Sequence, residues 1–564
     1  MATEVYARIA DWLIPLIELL LVLGSLFLIF TSRNTRPAAG LAKIERFFSR
    51  LARRKQVAVF SCGMLVLTAR VALIPLLGLP EPTWHDEFSF LLAGDTFAHG
   101  RMTNPTHPMW QHFESFHIIE QPTYMSMYPP SQGVILAIGE LLGKPWIGQL
   151  LVTAAMCSAL CWMLQGWLPP TWALFGGLLV GLRIAILSYW MNSYFCGSLP
   201  ALGGALVLGA LPRLMKTARV RDALWMAGGL AILANSRPYE GFVFSLPVAA
   251  LMAIWLFRQK KFATVRVLRN VVAPISLLLI VAGGTMCYYF WRITGNPLQM
   301  PYEVNRETYA SAPYFVWGKP RPAPAYRHEV MRAFYQGWEY EDWKAGQSPW
   351  GFLMRCRHKA IVLWTFYLGP LLTIPLLGFP WLFRDRRMRF PLTLALCFVI
   401  GLLLEIWTGS HYAAPAMGLL YLLLLQSMRH LRRWRWQEKP VGLALVRTVP
   451  IIAIGMILLR VTAVVAHARI EPGWSRGNLE RASILRTLER TPGDHVVIVR
   501  YAPDHGSHIE WVYNAADIDH SKVVWARDMG SQKNEELLHY FSGRRFWMLD
   551  ADDHPVHLQV YSPQ

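Results

Sequence analysis

Residues 12–56 read WLIPLIELLLVLGSLFLIFTSRNTRPAAGLAKIERFFSRLARRKQ. An apolar run long enough to cross a bilayer as a helix is followed at once by Arg33, Arg36, Lys43, Arg46, Arg50, Arg53, Arg54 and Lys55. A secretory leader carries its basic residues in front of the apolar run, so this segment is expected to be a retained span. Basic loops stay on the cytoplasmic side, which puts 31–56 inside and the N-terminus outside.

Outward from this stretch the same alternation recurs. Apolar runs near 12–30, 57–79, 147–167, 171–190, 198–212, 223–235, 239–257, 271–291, 360–382, 390–407, 412–428 and 441–466 make about twelve spans. The run at 223–235 is short and reads as a broken or re-entrant segment. Alternation sends 213–222, 258–270, 383–389 and 429–440 to the same side as 31–56. Each is a basic cluster, such as Arg384, Arg386, Arg387 and Arg389, or Arg258, Lys260, Lys261, Arg266 and Arg269. This agreement accounts for much of the net charge of +19 without nucleic acid as a partner. Composition points the same way: 16% of residues are charged and 54% hydrophobic, against about 25% charged in soluble domains. The cysteines Cys62, Cys157, Cys161, Cys196, Cys287, Cys356 and Cys397 lie mostly inside apolar runs, and imply neither a disulfide framework nor a zinc site.

The segments left outside are the long loops 80–146 and 292–359, short turns at 191–197, 235–241 and 409–412, and the tail. The organisation is therefore an extra span and basic loop at 1–56, a transmembrane domain at 57–466, and an external domain at 467–564. In the tail, HVVIVRY, KVVWARD and RRFWMLD read as strands and SQKNEELLHYF as an amphipathic helix, so a small α/β domain is expected. The fold class is mainly α and polytopic.

Candidate chemistry gathers on the outer side. Asp86 and Glu87 open the first loop at a membrane exit. A partly desolvated carboxylate gains proton affinity and suits general-base work; on composition alone a helix N-cap and first-turn charge explain the pair better. Arg237, in NSRPYEG, has the fork geometry for a phosphate, or pairs with Glu240. His411 and Tyr412, in TGSHYAAP, either bind substrate or anchor a helix end. Asn192 and Tyr194, in YWMNSYF, suit a sugar or an aromatic belt. Arg183 lies inside a span, where pairing is expected. The loop 292–359 reads as an acceptor lid or as a segment lying on the bilayer. His85, His107, His112 and His117 lack regular ligand spacing, so no metal cofactor is expected, with a divalent ion kept as the alternative.

Asp86-Glu87 after a core span, then Gly100-Arg101 and Tyr128-Pro129-Pro130 ahead of the next helices, resemble the GT-C superfamily of membrane glycosyltransferases. Within it the chain is similar to the dolichyl-phosphate-mannose protein mannosyltransferase and lipid A aminoarabinose transferase group, from about 57 to 466 and in the tail. The extra span at 12–30 departs from that pattern. The resemblance implies a GT-C-like helical bundle and transfer of a sugar, of hexosyltransferase type, from a polyprenyl-phosphate donor to a hydroxyl acceptor with inversion. Asp86 would be the base, with Glu87 orienting it or binding a sugar hydroxyl. Arg237, His411, Tyr412, Asn192, Tyr194, Glu240, Arg101 and Tyr128 would be substrate contacts. The implied partners are the lipid-linked donor, a glycan, lipid or protein acceptor, and the bilayer. The implied location is a bacterial inner membrane with a periplasmic site serving the cell envelope. A transporter or flippase, or a membrane scaffold, is the alternative; little midplane charge and no internal repeat weigh against transport.

Overall fold

The computed structural model describes residues 2–31, 39–258, 265–466, 477–553 and 555–562. Arg33, Arg36, Lys260 and Lys261 of the basic loops lie outside these.

Among the described residues, nine helices have the length and hydropathy to cross a membrane, from Leu13–Thr31 to Val441–Val465. The other three expected spans are shorter helices: Pro170–Val180, continued by a π turn at Gly181–Ala185; Val220–Ala234; and Met417–Leu431. The bundle accepts a short helix where neighbours screen it from lipid. Met417–Leu431 is packed inside, with Tyr421, Leu422, Leu424 and Leu425 at 1% exposure or less. Small residues let backbones approach. A Cβ on Gly229 would stand 2.7 Å from the Gly203 carbonyl, and one on Gly204 would stand 1.9 Å from the Pro415 carbonyl. The second contact seats the 410–416 turn, which carries His411, against helix Ser198–Thr217.

Arg183, inside the bundle, is paired. Arg183 Nη1 donates to Glu18 at 2.9 Å and Arg183 Nη2 to the Thr365 carbonyl at 3.1 Å. Glu18 also accepts the Leu371 N–H at 3.1 Å. The extra first span is thus tied to the core by an ion pair, and Arg183 is paired as its depth predicts. The long helix of the second external loop starts at Pro349 rather than near 360, so the loop is shorter than expected.

The first external loop holds helices His85–Ala98 and Ser131–Leu141, which pack together, and three short antiparallel strands: Asn104–Pro105, Thr123–Ser126 and Ile118–Ile119, in that spatial order. The tail forms a four-stranded sheet in the order Val523–Arg527, His495–Arg500, Arg545–Asp550, Leu558–Val560. The first three strands are parallel and the last antiparallel. Val496, Val497 and Ile498 are fully buried, as a central parallel strand covered on both faces requires.

The tail docks on the first loop through buried polar contacts. The Glu510 carboxylate accepts from Ser115 Oγ (3.1 Å), Tyr501 Oη (2.7 Å), Arg527 Nη2 (2.8 Å) and the N–H groups of Trp511 and Val512 (2.9 and 2.8 Å). Arg527 Nε reaches the Glu114 carbonyl at 2.5 Å, and Asp95 accepts the Ala516 N–H at 2.6 Å. His107 and His112 also face the tail, at Asp519 and the Arg527 carbonyl. Two of the five first-loop histidines thus belong to this interface.

Candidate active site

Helix His85–Ala98 is aimed by Glu87. Its Oε2 accepts the N–H groups of Thr83 and Trp84 (3.0 and 3.1 Å), closing the first turn, and its Oε1 accepts the Tyr194 N–H from the turn at 191–197 (3.0 Å). Glu87 is 2% exposed and is absent from the cavity lining. Burial pushes its carboxyl up to about 7, against the pull of the three N–H donors. One residue earlier on the turn, Asp86 faces the opposite way, into a cavity of about 890 Å³. There it accepts the Tyr128 hydroxyl, lies 3.0 Å from His85 Nδ1 and 4.0 Å from His117 Nε2.

These neighbours correct the sequence expectation for Asp86. Burial raises its proton affinity, but the two imidazoles and the Tyr128 hydrogen bond outweigh burial and hold it well below the usual carboxylate range. Tyr128 is pushed well above its ordinary value by burial and by Asp86, and so keeps its proton. Burial takes His117 down to about 3, leaving it neutral at pH 7. The carboxyl with raised proton affinity is Glu87, which serves backbone amides.

Arg237 and the 409–412 turn form another wall. Arg237 Nη1 lies 3.3 Å from Glu240, and its guanidinium stacks over Tyr412 at 4.3 Å. Burial disfavours its charge, yet Glu240 and the facing tyrosines more than offset this. His411 shares a hydrogen bond with Tyr189 Oη at 2.9 Å, and burial holds it neutral. Of the predicted residues, Asp86, Tyr128, Arg237, His411 and Tyr412 therefore share one cavity. Glu240 is one step behind Arg237.

The others are placed elsewhere. Asn192 Oδ1 accepts from buried Arg70 Nε at 2.9 Å, and its amide donates to the Ser188 carbonyl at 2.9 Å. Tyr194 Oη donates to the Pro80 carbonyl at 3.0 Å. The Arg101 N–H donates to the Thr96 carbonyl at 3.0 Å, after the helix ends at a left-handed Gly100. Like Glu87, none of the three lines the cavity; the turn at 191–197 contributes Phe195 instead.

Several lining groups were not singled out in the sequence. Arg306 Nη1 pairs with Glu339 at 2.7 Å while its guanidinium stacks over Trp407 at 4.7 Å. Both members of that pair come from the Arg- and aromatic-rich second loop, the one signal available. His508 enters from the tail, with its ring 4.7 Å from Trp338 and 5.3 Å from Trp84. No local pattern marks it.

A second cavity of about 600 Å³ adjoins the first and shares Met127, Tyr128, Arg237, Tyr302, Arg306 and Tyr314 with it. Phe242, Met286 and Phe290, from helices Pro238–Phe257 and Ala273–Thr294, line it, and Phe242 is 63% exposed on the outside of the bundle. Arg237 and Arg306 are the cations that line both cavities.

The fold also assembles a ligand set that spacing did not reveal. His85, Asp86 and His117 each offer an atom within 4.8 Å of the others. His85 Nε2 and His117 Nδ1 are buried without a hydrogen-bond partner. Two imidazoles and a carboxylate suit a zinc-like ion, so the residues fit a divalent cation. Asp95, His99 and Glu140 form a second, more exposed group.

No family model and no curated protein matches the sequence. Among solved structures, the chain is similar to ArnT from Cupriavidus metallidurans in the apo state, at 12% identity and TM-score 0.47, over 88% of this chain and 94% of that one. ArnT bound to undecaprenyl phosphate gives 12% and 0.43, over 87% and 93%. The Archaeoglobus fulgidus oligosaccharyltransferase AglB, in complex with an inhibitory peptide and a dolichol-phosphate, gives 10% and 0.44, over 88% and 69%. Likeness at this level assigns neither residue nor activity to this chain.

Proposed function

We propose that this chain is an integral membrane glycosyltransferase that moves a sugar from a polyprenyl-phosphate donor to a hydroxyl acceptor. The observation that carries the reading is the junction of the two cavities at Arg237. A lipid-linked sugar phosphate needs an apolar groove for its tail, a cation at the lipid boundary for its phosphate, and a polar chamber for its sugar. Arg237, with Arg306, lines both the groove that Phe242, Met286 and Phe290 flank and the chamber that holds Asp86.

In this mechanism the acceptor oxygen attacks the anomeric carbon from the face opposite the phosphate. The new C–O bond forms as the sugar–phosphate bond breaks, and polyprenyl phosphate leaves with the bonding pair. Arg237 stabilises that charge in a water-poor setting. The acceptor proton passes to Asp86 and then to water. Asp86 is a weak base, so proton transfer comes late, once the attacking oxygen has become acidic through bonding. Tyr128 and His85 keep Asp86 ionised and oriented. A divalent ion held by His85, Asp86 and His117 would supply Lewis acidity at the same point. The basic clusters between the spans support a chamber and tail on the non-cytoplasmic side, which in a bacterial inner membrane is the periplasm, where envelope acceptors are found.

The test is transfer of labelled sugar from a panel of polyprenyl-phosphate donors, using a crude envelope extract as acceptor. Asp86→Asn is expected to lose about 10²–10⁴-fold in rate, the usual worth of a general base, with its melting temperature within a few degrees of wild type. Equal transfer by both proteins would remove Asp86 as the base. A wild type that translocates labelled lipid without cleaving the sugar–phosphate bond would favour the flippase alternative.

A further inference from the structure

Helix Ala39–Arg53, AGLAKIERFFSRLAR, lies between the spans Leu13–Thr31 and Lys55–Ala72 and is too short and too charged to be a span itself. At about 3.6 residues per turn, Ile44, Phe47, Phe48 and Leu51 share one face, and Lys43, Arg46, Arg50, Arg53 and Arg54 share another. The inner edge is packed: Ala52 is fully buried, and the helix contacts Pro170–Val180 and Lys55–Ala72. At the middle of the helix, Arg447 on the last span makes two bonds to Glu45, at 2.7 and 2.9 Å. Held at its middle and at its C-terminal end against different spans, the helix runs across the basic end of the bundle rather than away from it.

Leu51, at the C-terminal end of the apolar face, packs on the core, and Ile44, Phe47 and Phe48 on the rest of that face are exposed. Ile44 is 54% and Phe47 62% exposed, and Lys43, Arg46, Arg50, Arg53 and Arg54 are all exposed. We infer that this helix is an in-plane anchor that recognises anionic phospholipid headgroups in the cytoplasmic leaflet. The apolar face sits at the acyl boundary, and the arginines meet phosphates above it. Charge complementarity selects the partner: Glu45 is the only acidic residue of the helix, and it is occupied by Arg447. An amphipathic helix with a strongly basic polar face gains from both apolar burial and anionic lipid. The inference is independent of the glycosyltransferase reading.

The test uses the full chain purified in detergent and mixed with equimolar phosphatidylglycerol and phosphatidylcholine, with retained lipids counted by native mass spectrometry. Wild type is expected to retain phosphatidylglycerol in preference. Arg46→Gln/Arg50→Gln/Arg53→Gln should lower that preference about tenfold or more, and Arg50→Gln alone about threefold. Arg384→Gln/Arg386→Gln/Arg387→Gln, removing as much charge from the same end of the bundle, should change it less than about twofold. Phe47→Gln should reduce retention of both lipids. No preference in wild type, or an equal loss in both triple variants, would overturn the site in favour of a diffuse positive field. If Phe47→Gln instead dissociates a dimer, the face is covered by a second copy of the chain and the inference fails.

Discussion

The turns at 191–197 and 409–412 look alike in sequence. Each is a short polar, aromatic segment between apolar runs on the outer side. In the structure they part company. Asn192 and Tyr194 are spent on Arg70 and the Pro80 carbonyl, whereas His411 and Tyr412 face a cavity beside Arg237. The same division separates Asp86 from Glu87 within one turn of helix. A polar outer residue becomes a candidate for chemistry only when the surrounding backbone does not already claim it.

Arg237 and Arg70 are both arginines on hydrogen-bonded partners, and mutation separates their roles. Arg237→Ala removes the cation at the junction of the cavities and is expected to cost about 10²–10³-fold in transfer, the scale of losing one preorganised charge-stabilising group. Arg237→Lys should recover little, since a point charge does not replace the fork. Arg237→Ala also strands buried Glu240 and should lose about 3 kcal/mol or more of stability, whereas Arg237→Lys keeps a cation beside Glu240 and should melt close to wild type. Normal transfer by a folded Arg237→Lys would put Arg237 with Arg70 among structural groups.

Glu87→Ala should act on stability. It removes the acceptor shared by the N–H groups of Thr83, Trp84 and Tyr194, the last of them buried, and loss of about 3 kcal/mol is expected, read as a lowered melting temperature in detergent. Its titration gives a second readout. The unfolded chain releases this proton near 4.5 and the folded chain near 7, so between those values the native state binds more protons. The stability contributed by protonated Glu87 is complete below about 4.5 and declines as pH rises through about 7, by roughly 3 kcal/mol. Wild type should therefore lose melting temperature relative to Glu87→Gln between pH 5 and 7. A constant difference would mean that Glu87 is ionised throughout.

The smallest effect is expected at Asn192. Asn192→Ala leaves Arg70 Nε without its side-chain acceptor, at about 1–3 kcal/mol of stability, with kcat/KM for transfer within about threefold of wild type once the protein is folded. A selective rise in KM for the donor would return Asn192 to the substrate site.

Much of the architecture was legible because its causes are local. A span is recognised by its own hydropathy, and the alternation of basic loops by their own charges; Arg384–Arg389 needs no distant residue to be read as a helix end. The strands at 495–500, 523–527 and 545–550 were visible for the same reason. The start of the helix at Pro349 was not, because Arg355, Arg357, His358 and Lys359 interrupt the apolar run. The fold supports charge there: Lys359 Nζ donates to the carbonyls of Leu402 and Trp407, at 3.0 and 2.9 Å, and Arg355 Nη2 to that of Asp342, at 2.8 Å.

The site was legible as a set of candidates. Sequence reading picked out polar residues at the ends of spans and in the long loops, and Asp86, Tyr128, Arg237, His411 and Tyr412 were among them. The tertiary structure decided which carboxylate of the Asp86–Glu87 pair faces the cavity, and reversed the expected direction of the Asp86 proton affinity. It also brought His508 from the tail to within ring contact of His85, at 5.7 Å. Hydropathy and charge sum along the chain, so they can be read from it. A buried hydrogen bond needs a partner from a distant segment, such as Tyr194 for Glu87 or Tyr128 for Asp86, and that pairing exists only once the chain has folded.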